Sequence, residues 1–167
     1  MSTLLPHLVR DLAAQFNLPL TSVHGPAHWM RVRANGLVLA DMTGANKTVV
    51  ELFSIFHDSC RENDGSDPNH GPRAGALAEF YFYEEKMLEC SEEELQLLVA
   101  ACEGHTYGGV SHEPTIGTCW DSDRLDLPRV GIVVDPELLC TDAAKNPEII
   151  QWAEENAWRW LQKVKWI

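Results

Sequence analysis

The sequence predicts an all-α fold, and three observations carry that expectation. Apolar residues recur at helical spacing in segment after segment. Helix-start signals (proline at a first helical position, serine or asparagine before it) precede most of those segments. Strand signals are almost absent: Val130–Val134 is the only short apolar run, and Asp135-Pro136 stops it.

Taken in chain order, residues 3–16 form a first amphipathic segment. Pro26 suits a first helical position, and the second helix is expected to run from there to about Met42. The third covers roughly 48–60, where Val49, Leu52, Phe53 and Phe56 fall at i, i+3, i+4 and i+7. Pro72 is expected to open the fourth, with Ala74, Leu77, Ala78 and Tyr81 as its apolar stripe and an end between Lys86 and Leu88. Ser91 and Glu94 form a capping box that starts the fifth, which sets Leu95, Leu98 and Cys102 on one side. Asn146-Pro147 opens the last, 147–164, burying Ile149, Trp152, Ala153, Ala157 and Trp160. The Gly- and Asp-rich stretches at 62–71 and 104–117 read as loops. With 167 residues and no linker, repeat or low-complexity segment, one domain spanning 1–167 is expected.

Composition excludes several function classes. Thirteen Lys+Arg against 25 Asp+Glu give a formal charge of −12, which repels phosphate backbones and argues against general nucleic-acid binding. No apolar run approaches the ~20 residues of a membrane span, and Pro6, His7 and Arg10 interrupt any leader-like character of the first residues. Cys60, Cys90, Cys102, Cys119 and Cys140 are odd in number, widely spaced and free of a CxxC. Reduced thiols in a cytoplasmic protein are expected.

The seven histidines carry the chemistry. His57 continues the apolar stripe of the third helix, and Asp58 follows it where the helix runs out. A carboxylate there is costly unless paired or bound to metal. His105 continues the inner face of the fifth helix, seven residues after Leu98. His28 shares a face with Val32 and Leu39. Three helices thus send one imidazole each inward, and convergence on a metal accounts for all three together. Asp121-Ser122-Asp123-Arg124-Leu125-Asp126 supplies further carboxylates, at least one of which can face inward. His7 and His112 read as surface residues, and Trp29 and Trp120 as core.

Three segments, His28-Trp29-Met30-Arg31-Val32, Phe56-His57-Asp58-Ser59 and Asp121–Asp126, together resemble the H…HD…D signature of the HD-domain superfamily of metal-dependent phosphohydrolases, over roughly residues 22–131. The resemblance implies an all-α bundle with a metal site between helices. It implies a metal held by His28, His57, Asp58 and Asp123, the last because the family's ligand directly precedes Arg-Leu. His70 and His105 resemble the pair that holds a second ion in some branches. Mixed nitrogen and oxygen donors suit a divalent transition metal: Mn, Fe, Co, Ni or Zn. One such ion is expected and two are possible: Asp58 and Asp123 neutralise a single divalent ion, and two ions leave about +2, a charge that suits phosphate.

The implied reaction is hydrolysis of a small phosphorylated metabolite or nucleotide, with hydroxide generated at the metal attacking phosphorus. Asp58 serves the metal and catalysis together, and Glu62 and His24 are the candidate proton donors. Of eight arginines, Arg31, Arg61, Arg73, Arg124 and Arg129 lie within six residues of an expected ligand; the first four are candidate substrate binders. The loop Tyr107-Gly108-Gly109 is a candidate cover over the substrate. Two alternatives remain: a di-iron oxygenase on the same scaffold, and a catalytically silent nucleotide-binding module.

Overall fold

A computed structural model describes residues 5–164, with side chains through 159. Among the described residues every regular element is helical. The α-helices are α1 (Leu5–Gln15), α2 (Pro26–Thr43), α3 (Lys47–Phe56), α4 (His70–Tyr83), α5 (Glu92–Gly104), α6 (Pro114–Arg124), α7 (Asp142–Lys145) and α8 (Pro147–Val164). Two 3₁₀ turns, Leu127–Val130 and Pro136–Leu138, lie between α6 and α7. The expected all-α class is what the chain adopts. Residues 3 and 4 of the first expected segment, and the side chain of Trp160, lie outside the described residues.

Local chemistry sets the helix boundaries. α2 begins at Pro26 after the Gly25 N-cap and ends at Gly44, whose φ of 73° closes the last turn with its N–H on the Ala40 carbonyl. The Asn46 side chain accepts from the Val49 N–H at 3.2 Å and starts α3. Both halves of the Ser91–Glu94 capping box are present on α5, at 3.2 and 2.7 Å. Asn146 Oδ1 takes the Glu148 N–H at the head of α8.

Three expected boundaries shift, each for a local reason. α3 stops at Phe56 rather than running to 60; Ser59 N–H bonds to Phe56 O and Arg61 N–H to Asp58 O, so the chain continues as tight turns. α4 starts at His70, two residues before Pro72, and ends at Tyr83, where Lys86 enters the left-handed region (φ 52°) and Met87 N–H returns to Tyr81 O. The stretch 104–117 is not all loop, because Glu113 caps its own helix: its carboxylate accepts the Ile116 N–H at 2.6 Å and Pro114 follows at the first position.

α2 is the central element, packed between α3 and α6, while α4 and α5 form an antiparallel pair closed onto α3. The main core joins Leu12, Trp29, Val49, Phe53, Phe56 and Leu98 with their neighbours. A second cluster, built on Leu39, Leu125, Leu139 and Ala153, seats α8. Trp29 and Trp120 are both core residues: the indole N–H of Trp29 donates to His24 O, and that of Trp120 to Ala101 O.

α4 and α5 approach each other through glycine. A Cβ at Gly71 would collide with the Cys102 carbonyl on α5, and backbone cannot swing aside as a side-chain tip can. Gly71→Ala is therefore expected to cost about 1–3 kcal/mol, the range for overpacking a close-packed interior. Equilibrium urea unfolding measures it, and an unchanged midpoint would show that the two helices separate freely.

Candidate metal centre

Six side chains from five helical segments meet on one level of the bundle. α2 supplies His28, the end of α3 supplies His57 with Asp58 one residue on, α4 opens with His70, His105 caps α5, and α6 carries Asp123 in its last turn. Both His28 and His57 are fully buried, and Asp58, His70 and His105 nearly so. The helix period explains the HD pair. His57, one turn beyond Phe53, points into the core and stacks on that ring at 4.8 Å. Asp58 follows the C-cap, and its carboxylate lies among the same imidazoles.

Asp58 divides the cluster. Its Oδ2 faces His28 Nε2 at 3.4 Å and His57 Nε2 at 3.6 Å. Its Oδ1 faces His70 Nε2 at 3.3 Å and His105 Nε2 at 3.7 Å. Asp123 Oδ1 closes the first group, at 3.3 Å from His28 and 3.8 Å from His57. Two sets of potential ligands therefore share one carboxylate, as a bridging group between two cations would.

The imidazole tautomers follow from what each Nδ1 touches. His57 Nδ1 donates to the Phe53 and Ser54 carbonyls at 3.1 and 3.2 Å, and His105 Nδ1 to Cys102 O at 2.7 Å. His70 Nδ1 donates to Asp67 O, and His28 Nδ1 to Asp126 Oδ2 at 2.7 Å. With the Nδ1 positions taken as donors, every neutral ring turns its Nε2 lone pair inward. Those lone pairs face one another in twos: His28 against His57 at 3.1 Å, and His70 against His105 at 2.8 Å. Lone pairs at that distance repel unless a positive charge sits between them.

Protonation equilibria carry the same signature. Burial opposes charge on His28, but the Asp123, Asp126 and Asp58 carboxylates prevail and lift it to about 9. Burial drives His57 the other way, to about 3. One proton is thus held by His28 against its partner. Burial also works against the carboxylates, yet the surrounding histidines hold Asp58 and Asp123 ionised, well below the usual carboxylate range. A divalent cation would take over the role of that proton. Donors lying ~2.0–2.2 Å from a shared transition-metal ion stand about 3 Å apart, which matches the spacings here. The residues fit a metal, and the fit extends to two ions.

An outer layer fixes the ligands. Asp126 is buried and receives Arg31 in a two-point contact, Nε to Oδ1 at 2.7 Å and Nη2 to Oδ2 at 3.0 Å, while holding His28. Sequence reasoning assigned Asp126 no role, although it lies three residues after Asp123 and so on the same side of a helical turn. Asp126→Asn is expected to weaken metal binding about 10–100-fold, the usual cost of losing an outer carboxylate partner. Titration calorimetry with Mn against wild type measures this, and equal affinities would make Asp126 merely structural. Asp121, the other inward candidate, is buried for a different purpose: it accepts the Cys140 and Thr141 N–H groups at 2.6 and 2.8 Å and anchors the approach to α7.

Above the cluster opens a cavity of about 310 Å³, with Asp58, His105 and Asp123 in its floor. His24, Arg61, Thr106, Arg124 and Arg129 stand around it. His24 Nδ1 lies 2.8 Å from Asp58 Oδ2, and Arg61 Nε donates to Asp58 Oδ1 at 2.9 Å. Arg124 donates to the Leu138 and Gly109 carbonyls and lies 5.6 Å from the Trp120 ring centroid. Among the described residues no carboxylate pairs with it, so its charge remains available to an anion.

The other expected site residues lie elsewhere. Arg31 is buried behind His28 on Asp126 and does not line the cavity. Arg73 grips Cys60 O and Asp67, and Glu62 points mostly to solvent; both line a separate groove with Gln15 and Leu77. Tyr107 is 69% exposed and contributes nothing to the cavity wall, where Thr106 stands instead. His7 and His112 are at the surface, as expected. No helix of the described residues is long and apolar enough to cross a membrane. No family model matches this sequence, and neither a curated protein nor a solved structure matches it.

Proposed function

We propose that the protein is a metal-dependent phosphohydrolase of the HD type, acting on a small phosphorylated metabolite or nucleotide and using a divalent transition metal: Mn, Fe, Co, Ni or Zn. The observation that carries this reading is the convergence of four Nε2 atoms and two ionised carboxylates beneath a cavity rimmed by arginine. His28, His57 and Asp58, with Asp123 beside the two imidazoles, would hold one ion, and Asp58, His70 and His105 a second. Bound there, the metal supplies Lewis acidity and lowers the pKa of water from 15.7 toward ~7.

The rest falls to the chain's own groups. Arg124, with no carboxylate of its own, binds a phosphoryl oxygen. Arg61 and Arg129 add positive potential at the same wall, where low dielectric strengthens it. His24, at the cavity wall and hydrogen-bonded to Asp58, is positioned to deliver a proton to the leaving oxygen, which Glu62 in its separate groove is not.

The test loads purified protein with each metal in turn and measures phosphate release from a panel of mono- and diesters. Hydrolysis with at least one metal, lost on Arg124→Ala, is the expected result. Stoichiometric metal with no phosphate released from any ester overturns the proposal. The same donor set also suits two irons; dioxygen consumption by the di-iron form would move the reading to an oxygenase. Nucleotide binding without turnover would leave a silent module.

A further inference from the structure

The cavity has two unlike halves. Its floor and one wall are charged, as described above. Beside the arginines runs the segment after α6, which carries Arg129 and holds Arg124 through the Leu138 carbonyl; there Leu127, Ile132, Val133, Val134 and Leu138 line the space and Asp135 supplies a single carboxylate. Three of these apolar groups stand exposed, Ile132 at 52%, Leu138 at 60% and Val133 at 88%, while Val134 is buried in the second core cluster. An extended segment that turns several branched aliphatics toward a cationic cavity leaves apolar surface wet, which is costly unless something covers it. Because this wall is continuous with the metal centre's mouth, whatever phosphoryl compound sits on the arginines lays its remaining atoms here.

Asp135 restricts those atoms further. One of its oxygens accepts the Glu137 N–H at 3.0 Å; among the described residues, the other has no protein donor. A carboxylate in that position attracts a hydroxyl or amine and repels a second phosphate, and Glu137 nearby adds to the repulsion. The volume, at the lower end of the ~300–1,000 Å³ of small-ligand pockets, admits one phosphoryl group with one compact body.

We infer that the 127–138 segment is a leaving-group subsite selecting phosphomonoesters of uncharged alcohols with an apolar face and one hydrogen-bond donor, over polyol phosphates and compounds with a second phosphate. This rests on the phosphate-binding half of the function proposed above, and it assigns Val133, Leu138 and Asp135 as specificity residues.

Binding of phosphonates tests it without relying on turnover. Metal-loaded protein is titrated calorimetrically with phenylphosphonate and methylphosphonate. Covering one ring face should make the phenyl compound bind about tenfold tighter, at the usual gain per unit of buried apolar surface. The double variant Val133→Ser, Leu138→Ser changes two exposed positions, so the fold is preserved. Its preference should fall to about twofold while methylphosphonate affinity stays unchanged. Asp135→Asn keeps the cap on the 3₁₀ turn and should improve binding of methylenediphosphonate at least threefold. Equal affinity for the two monophosphonates in wild type, or a preference untouched by the double variant, overturns the inference, as does failure of either to bind. Phosphonate selectivity without hydrolysis of any ester would instead sustain the subsite and overturn the hydrolase.

Discussion

Asp58→Asn will bind neither ion. The carboxylate is the sole group common to both ligand sets, with Oδ2 serving His28 and His57 and Oδ1 serving His70 and His105. An amide offers one neutral oxygen, which cannot offset a cation's charge among neutral imidazoles, and it turns an N–H donor toward the other set, so neither set keeps the anionic oxygen it needs. His105→Ala is the matched control: it removes one imidazole from the second set and leaves His28, His57, Asp58 and Asp123 in place. Elemental analysis should find no metal in Asp58→Asn and one ion in His105→Ala. Hydrolysis should fall by about three orders of magnitude or more in Asp58→Asn, because without an ion the pKa of the attacking water returns from ~7 toward 15.7. Far-UV circular dichroism separates this loss from unfolding. Equal metal content in the two variants would mean that Asp58 does not bridge.

The bundle was legible wherever a helix announces its own ends. Ser91 with Glu94, Asn146 with Pro147, and Pro26 each mark a boundary that the structure keeps. Glu113-Pro114 is a weaker signal, since glutamate is a less usual capping residue, and the start of α6 passed for loop. The inner ligands were legible for a similar reason. His28, His57 and His105 continue apolar faces, and the helix period alone turns them inward. His70 is different: it opens α4, where the preceding loop sets its direction and periodicity has little to say.

The arginines divide by a property that sequence does not encode. Proximity in the chain to a ligand grouped Arg31, Arg61, Arg73 and Arg124 together. Packing separates them, because a guanidinium beside a buried carboxylate is captured by it. Arg31 meets Asp126, Arg61 meets Asp58 and Arg73 meets Asp67, whereas Arg124 finds no carboxylate among the described residues, only two carbonyls, the Cys140 sulfur and the Trp120 ring, and keeps its charge for the cavity. The same logic hides Asp126. As the third acid of a cluster it resembles a solvated helix end, and only the partner on α2, 98 residues away in sequence, makes it part of the centre.

Metal binding will release a proton, and its strength will climb with pH. In the metal-free centre His28 titrates at about 9, so at pH 7 it carries the proton that separates its Nε2 from that of His57. His57, lowered to about 3, is already neutral and adds no slope. An ion entering the first set must displace the His28 proton, since a ligand imidazole is neutral. The sign follows: protons and metal compete, so acid weakens binding, and the competition ends once His28 deprotonates of its own accord. Apparent affinity at this set should therefore rise about tenfold per pH unit from 7, bend as pH nears 9 and then level off. The metal-free fold moves the opposite way. A histidine raised from 6.5 to about 9 contributes stability that is complete below 6.5 and is lost as pH rises through 9. Stabilisation by a fixed excess of Mn should consequently grow by about 2.3 kcal/mol from pH 7 to pH 9, the equivalent of about a fiftyfold gain in affinity, since His28 is half deprotonated at 9. Calorimetry in buffers of differing ionisation enthalpy counts the protons directly, with about one released per first ion at pH 7 and about half of one at pH 9. Flat affinity across that range would show that His28 carries no proton for the metal to displace, and would remove the argument that the ion replaces it.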